Sequence, residues 1–408
     1  MAALRSAAAG LKLQLGPEAW HNFKYDALAS VLFSLFNVVF NQFYIPMAIR
    51  QGATNLEVGL LSAAPAIGLL FSPLWAAWIE RTSPRRFVLY PNLAARFLLL
   101  LPAFFGAPVV YVAVALVFHM LMGIQAPAYA AFVTRIYPPQ HRGKLMGNVR
   151  VAMGFLMIPL AFSVGAWTDA AGPSQALIWA SLTGVISILV FGRIREIGAA
   201  PATPAAVRRS SLREQFRLVR RNRELAVFFV ASTFTGFGNI LAGPLYQIIQ
   251  VDKLELSNTQ IGLARVVYFL CLLGSYFIVG WVIDRFSAKA TIVYGLGAFA
   301  AVPLLYGLFG NYASVLVGSG IQGAGDAIWD IGIMAYLFRL APGREAVVFG
   351  LHLLLFGIRG SVGPLLSTWL AGSMELSYLL YGAALCGAAG TLVFVMLAGK
   401  RLKPQTLE

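Results

Sequence analysis

The chain has 408 residues, 59% of them hydrophobic and only 12% charged, where soluble globular proteins carry roughly 25% charged residues; a water-soluble fold is excluded. Its net charge of +15 does not mark a nucleic-acid partner, because the basic residues cluster in loops on one side of a series of apolar segments. Two cysteines, Cys271 and Cys386, both within apolar segments, offer neither a disulfide framework nor metal-ligand spacing.

The apolar segments are about 20 residues long, the length a helix needs to cross a hydrocarbon core of about 30 Å. Twelve are read, at 26–48, 57–79, 87–105, 109–134, 146–168, 175–192, 225–248, 259–283, 290–309, 313–338, 346–370 and 377–398. They are too long and too uniformly apolar for the short alternating strands of an outer-membrane barrel. Residues 1–24 precede the first span with basic side chains and no cleavable apolar core, so that span doubles as an uncleaved membrane signal. With both termini cytoplasmic, only Arg50 and Lys253 fall outside, four arginines fall within spans, and the remaining Lys and Arg lie inside, as the positive-inside rule requires. The expected location is the cytoplasmic membrane, crossed many times.

Polar side chains in the bilayer core are costly and mark where function is sought. Asp26 opens the first span as a helix cap. Ser30, Ser34, Asn37 and Asn41 then form a stripe on one helical face. After the second span come Glu80, Arg81 and Arg85; the third carries Arg96, the fourth His119, Gln125 and Tyr129, and the fifth Arg150, near enough to the cytoplasmic end to snorkel. A polar linker, 193–224, separates a first half (1–192) from a second (225–408); in it Leu212, Phe216 and Val219 oppose Arg213, Arg217, Arg220 and Arg221, a basic amphipathic helix suited to the lipid surface or to a solvated linker.

In the second half, Ser232, Thr235 and Asn239 make another stripe in the seventh span, Arg265 lies in the eighth, and Asp284, Arg285 and Lys289 follow it. The tenth span carries Gln322 with Asp326 and Asp330, the carboxylates set deepest in any span and four residues apart on one face. A carboxylate there takes up a proton when it stands alone and stays ionised when paired with a cation. His352 and Arg359 of the eleventh span lie at matching depths, so two pairs are expected, Asp330 with His352 and Asp326 with Arg359, coupling protons to movement; a static packing role is the alternative. Arg96 and Arg265 have no acid at equal depth in their own half and suit an anionic solute or lipid headgroup.

The two halves repeat one another. Residues 78–85 (WIERTSPR) align with 282–289 (VIDRFSAK), half a chain apart; Gly123-Ile124-Gln125 aligns with Gly320-Ile321-Gln322; and Ser34, Asn37, Asn41 and Pro46 align with Ser232, Thr235, Asn239 and Pro244. Short matches in one order are the mark of a duplicated six-helix unit, common in carriers whose halves move around a central site.

These residues resemble the major facilitator superfamily over essentially the whole chain. The loop after the eighth span, with Gly280, Asp284, Arg285 and Lys289, follows the family's Gly-x3-Asp-Arg-x-Gly-Arg/Lys-type signature; the first copy departs from it with Ala76, Glu80 and Pro84, and Pro139-x2-Arg142-Gly143-x3-Gly147 echoes its Arg-Gly loop. The resemblance implies an all-α integral membrane fold of twelve transmembrane helices in two pseudo-symmetric six-helix bundles. It further implies a cavity lined by spans one, four, seven and ten, and a cytoplasmic gate made by Glu80, Arg81, Arg85, Asp284, Arg285 and Lys289. Candidate cavity residues are Asn37, Asn41, Arg96, His119, Gln125, Tyr129, Asn239, Arg265 and Gln322.

No His-Glu-x2-His, Gly-x-Ser-x-Gly or Gly-x4-Gly-Lys-Ser/Thr motif occurs, so neither an enzyme nor an ATP-driven pump is expected. The expectation is a monomeric secondary transporter with no cofactor, whose partners are a small molecule, protons and membrane lipids. Export of amphipathic compounds stands slightly ahead of uptake of a nutrient or metabolite, and a transport-inactive scaffold is the third reading. The glycines and proline typical of proton-driven exporters are sparse in the fifth span and denser in the eleventh, at Gly357, Gly360, Gly363 and Pro364.

Overall fold

In hydrocarbon a chain must satisfy its backbone N–H and C=O groups within its own segments, which favours helices throughout. The computed structural model describes residues 2–72, 75, 79, 83–197, 212–285, 288–340 and 344–397, and every regular element among them is helical. Among the described residues, ten helices are long and apolar enough to cross a bilayer. The expected second span is the shorter helix Asn55–Leu70, and the expected tenth is the 29-residue helix Tyr312–Leu340, made less apolar by Gln322, Asp326 and Asp330.

Local chemistry sets the breaks. The helix Ala2–Val38 is interrupted at Gly16, whose φ of 74° only glycine adopts freely, and Pro17 follows. Pro46 has no N–H for the carbonyl of Gln42, and the helix widens into a π turn over Val39–Phe43 before Tyr44–Arg50 completes the first span. Gly172, at φ 78°, ends the fifth span, Pro139–Ala171, and Pro173 opens the sixth, Pro173–Phe191. Asn222 caps the seventh span, Arg223–Ile248, accepting from the Leu225 N–H at 3.1 Å, while its Nδ2 donates to the Leu340 carbonyl at 3.0 Å. Asp26 caps nothing: it lies within Ala2–Val38, and its carboxylate accepts the Tyr137 hydroxyl at 2.7 Å.

Lipid tails are as apolar as leucine, so helices here associate through close packing rather than exclusion of water. A Cβ added to Gly68 of the second span would overlap the His119 carbonyl of the fourth, and one on Gly123 would overlap the Gly68 carbonyl, a reciprocal backbone contact. Gly323 of the tenth span meets the Tyr268 carbonyl of the eighth in the same way.

By contact the chain divides into two units, one of Met1–Ala53, Ile67–Ala206 and Ser257–Gly262, the other of Thr54–Ala66, Val207–Leu256 and Leu263–Glu408. The start of the second span and the start of the eighth therefore each belong with the opposite half of the sequence. In the first unit Asp169 accounts for this. Its carboxylate accepts the N–H groups of Asn258 and Thr259 at 2.8 and 2.7 Å and the Thr259 hydroxyl at 2.6 Å, capping the eighth span, Asn258–Arg285. The linker helix, Leu212–Arg221, packs Leu218 and Val219 onto a buried cluster of the second unit around Phe228, Tyr336 and Phe394. A corresponding cluster around Phe132, Leu145 and Ile188 lies in the first unit.

Candidate functional site

In the first unit, spans one, three, four, five and six surround a cavity of about 290 Å³, walled among others by Asp26, Asn92, Arg96, Gln125, Tyr129 and Arg150. Arg96 is 7% exposed. Its Nη1 donates to the Gly184 carbonyl at 2.5 Å and to Ser187 Oγ at 3.1 Å, its Nη2 to Asn92 Oδ1 at 3.4 Å, and the guanidinium lies 4.6 Å from the centre of the Phe33 ring. Every one of these partners is neutral. The backbone around it is fixed in turn: Ser181 Oγ donates to the Arg96 carbonyl at 2.8 Å, and Ser187 Oγ to the Ala29 carbonyl at 2.8 Å. The cavity's carboxylate, Asp26, is engaged by Tyr137, so the wall presents guanidinium, amide and hydroxyl groups beside Met122, Met146 and Met153.

The other candidates of the first half lie apart from this wall. His119 packs its ring against Phe40 and Phe118, at 5.7 and 5.1 Å between centroids. Asn37 is half-buried and Asn41 exposed at the π turn. Of the expected gate, Arg85 donates to the Gly192 carbonyl at the end of the sixth span, Arg285 is exposed and Lys289 half-buried. Glu80 and Arg81 lie outside the described residues, as does the side chain of Asp284.

The second unit corrects the expected ion-pair ladder. Asp326 accepts the Tyr268 hydroxyl at 2.9 Å and Gln322 Nε2 at 3.1 Å; Asp330, exposed, accepts the Tyr276 hydroxyl at 2.7 Å. Arg359 Nη1 donates instead to the Ser232 carbonyl at 2.7 Å, and His352 packs its ring against those of Trp329 and Phe349, its Nδ1 without a partner among the described residues. Equal depth does not fix azimuth. The eleventh span, Glu345–Leu370, packs on the seventh, with Arg359 turned toward Ser232 and away from Asp326, while the eighth lies near enough for its tyrosines to reach both acids. Arg135 and Glu196 form an ion pair at 3.3 Å.

Arg265 and Gln322 share a second, smaller chamber of about 30 Å³ with Tyr246, Gln247, Gln250 and Tyr306, which Asn239, half-buried in the seventh span, does not line. Sequence reading missed Tyr268 and Tyr276, the partners of the acids, and Asn92 and Ser187, the partners of Arg96. A tyrosine or serine in an apolar span carries no periodic signal, and only spatial neighbourhood reveals it.

The profile of the Major Facilitator Superfamily matches residues 27–249 and again 228–407. The Staphyloferrin B transporter of Staphylococcus aureus is 23% identical over 292 residues, covering 68% of this chain and 69% of that protein. Among solved structures, a mutant of the nucleoside transporter NupG superposes with a TM-score of 0.75 at 12% identity, over 92% of this chain and 99% of that one. A D-xylose-proton symporter does so with a TM-score of 0.69 at 13% identity, over 93% and 98%. With a twelve-helix fold shared with these transporters and a family profile matching almost from end to end, the chain belongs to the major facilitator superfamily.

Proposed function

We propose that this protein is a proton-coupled secondary transporter that takes up a small polar organic solute bearing a negative group. The observation that carries the reading is Arg96, a buried guanidinium on the wall of a cavity large enough for such a solute and held only by neutral partners. A cation in that setting attracts an anion strongly, because low dielectric magnifies the attraction and the site has already met the cost of burying the charge. The cavity wall is also richer in hydrogen-bonding groups than export of amphipathic compounds requires. Among the relatives, the D-xylose-proton symporter by its name moves a polar solute and a proton in the same direction, which supports uptake over export.

Asp326 is the proton carrier in this reading. Its partners, a tyrosine hydroxyl and a glutamine amide, can either donate or accept, so the site accommodates the carboxylate with and without its proton. The protein acts as a monomer, since one chain carries both copies of the repeat, in the cytoplasmic membrane with both termini inside, as the one-sided Lys and Arg distribution supports.

Purified protein in liposomes tests this. Organic anions are expected to accumulate when the outside is made acidic, ahead of neutral sugars, nucleosides and cationic amphipathic dyes. Preferential movement of the dyes, or anion flux indifferent to the pH gradient, would overturn it.

A further inference from the structure

The chamber in the second unit concentrates unmet polar groups. Among the described residues, five of the eight buried side-chain atoms without a partner belong to its walls: Tyr246 OH, Gln247 Oε1, Gln250 Oε1, Arg265 Nε and Gln322 Oε1. Buried polar atoms are ordinarily paired, and a cluster of exceptions facing one space points to a ligand. Arg265 supplies the charge. It makes no ion pair among the described residues, and the rest of the chamber wall is neutral. An uncompensated guanidinium at membrane depth is expensive, and a neutral guest would leave that charge standing. The volume then fixes the size: about 30 Å³ admits two or three water-sized guests or one larger ion, since a single water needs about 10–15 Å³ measured this way. An organic solute does not fit.

We propose that this chamber is a binding site for a halide-sized monovalent anion such as chloride, held by the Arg265 guanidinium and the Tyr246 hydroxyl, and by the amides of Gln247 and Gln322 once each has turned its NH2 group inward in place of the unpaired oxygen. The site is separate from the Arg96 cavity and neutralises the second unit's buried cation.

Gln322 joins the site to the acid. It lines the chamber while its Nε2 donates to Asp326 Oδ1 at 3.1 Å, which suits an ionised carboxylate. With a halide bound, the amide gains by turning over, so that its NH2 group faces the anion and its carbonyl oxygen faces Asp326. That oxygen needs a donor, and the protonated carboxyl provides one. Anion and proton therefore bind together, each raising the affinity for the other by the same factor. Beside Asp326 stand Tyr268 of the eighth span and Asp330 of its own helix, the latter held by Tyr276; Arg265, Tyr246 and Tyr306 line the adjoining chamber, and His352 and Arg359 of the eleventh span are turned toward Trp329 and Phe349 and toward Ser232. This coupling rests on Asp326 being the proton carrier, whereas the anion site itself does not.

Halide binding to the purified full chain is measured without transport, so its outcome is independent of the flux test above. Protein held in gluconate buffer is titrated with sodium chloride and sodium bromide, followed by calorimetry and thermal shift. Saturable stabilisation by both halides is expected, with none from sodium sulfate, whose ion is too large. The affinity should rise up to tenfold for each unit of falling pH where one proton is linked. Arg265→Gln should lose the response, and Gln322→Met should bind more weakly and without pH dependence. Wild-type protein that responds to halides no more than to gluconate, or Arg265→Gln protein that responds as wild type does, would overturn the site. Saturable halide binding that ignores pH in the wild type would overturn the coupling through Gln322.

Discussion

The two units bury charge in opposite ways. In the first, Arg96 is surrounded by a carbonyl, a hydroxyl, an amide oxygen and an aromatic face. Each of these is oriented toward a cation, and a guanidinium cannot exchange donor for acceptor. In the second, the deep charge is a carboxylate, Asp326, held by a hydroxyl and an amide that can reverse their roles, while Arg265 and Arg359 keep unpartnered Nε atoms. Duplication copied a backbone and left its chemistry free to diverge. In the proposed reading, one copy holds a fixed charge and the other a charge that can come and go.

That contrast is broken most directly at Asp326. Asp326→Asn keeps the size of the side chain and the bond from Tyr268 but cannot cycle a proton, so accumulation driven by a pH gradient should fall to background while exchange of labelled for unlabelled solute continues. Loss of both activities in a folded variant would mean that the acid serves solute binding, and the division of labour between the units would fail. Next in size is Arg96→Gln, which should weaken binding of an organic anion at least about tenfold, or about 1.4 kcal/mol. Arg96→Lys should fall between, because an ammonium keeps the charge but does not span Gly184, Ser187 and Asn92 as the planar fork does. Equilibrium binding of the transported anion reads both.

How far the sequence carried these conclusions depends on what each called for. The helices were legible because hydrophobic length is a property of contiguous residues, and the repeat because it is a property of order along the chain. Asp326, Asp330, Arg96 and Arg265 stood out because ionisable groups are rare in spans. Their partners were not legible. Pairing Asp326 with Arg359 used depth, which counting residues supplies, but not the direction each side chain takes around its helix, which follows from how the eleventh span packs on the seventh. Asp169 was missed for a similar reason: nothing in a single acid at the end of the fifth span announces that it caps the eighth, some ninety residues on.

A smaller effect tests whether the eighth and tenth spans hold Asp326 by their spacing. Gly323→Ala would put a methyl group onto the Tyr268 carbonyl and 3.1 Å from the Leu272 nitrogen. Backbone cannot turn aside as a side chain can, so overpacking should cost about 1–3 kcal/mol and draw the Tyr268 hydroxyl away from Asp326. Gly320→Ala is the control, since it meets only Cys271 Sγ at 3.2 Å and a Val267 methyl at 3.4 Å. Thermal unfolding in detergent should separate the two, and equal losses would mean that helix spacing is not what positions Tyr268.

The smallest expected effect is at Asp330, and it sharpens the comparison by limiting proton coupling to one acid. From sequence the two aspartates of the tenth span looked equivalent, four residues apart on one face. In the fold they differ: Asp326 is half-buried with two hydrogen-bond donors, Asp330 exposed with the Tyr276 hydroxyl. Exposure gives a carboxylate other ways to meet its hydrogen-bonding needs, and an amide oxygen in its place still accepts the Tyr276 hydroxyl, so the exchange only weakens one charge-assisted bond, by about 1 kcal/mol at most or roughly fivefold in flux. Asp330→Asn should therefore slow transport by no more than that while leaving the dependence on the pH gradient intact. If it abolishes that dependence as completely as Asp326→Asn, the two acids share the proton, and the exposed face of the tenth span belongs to the coupling machinery.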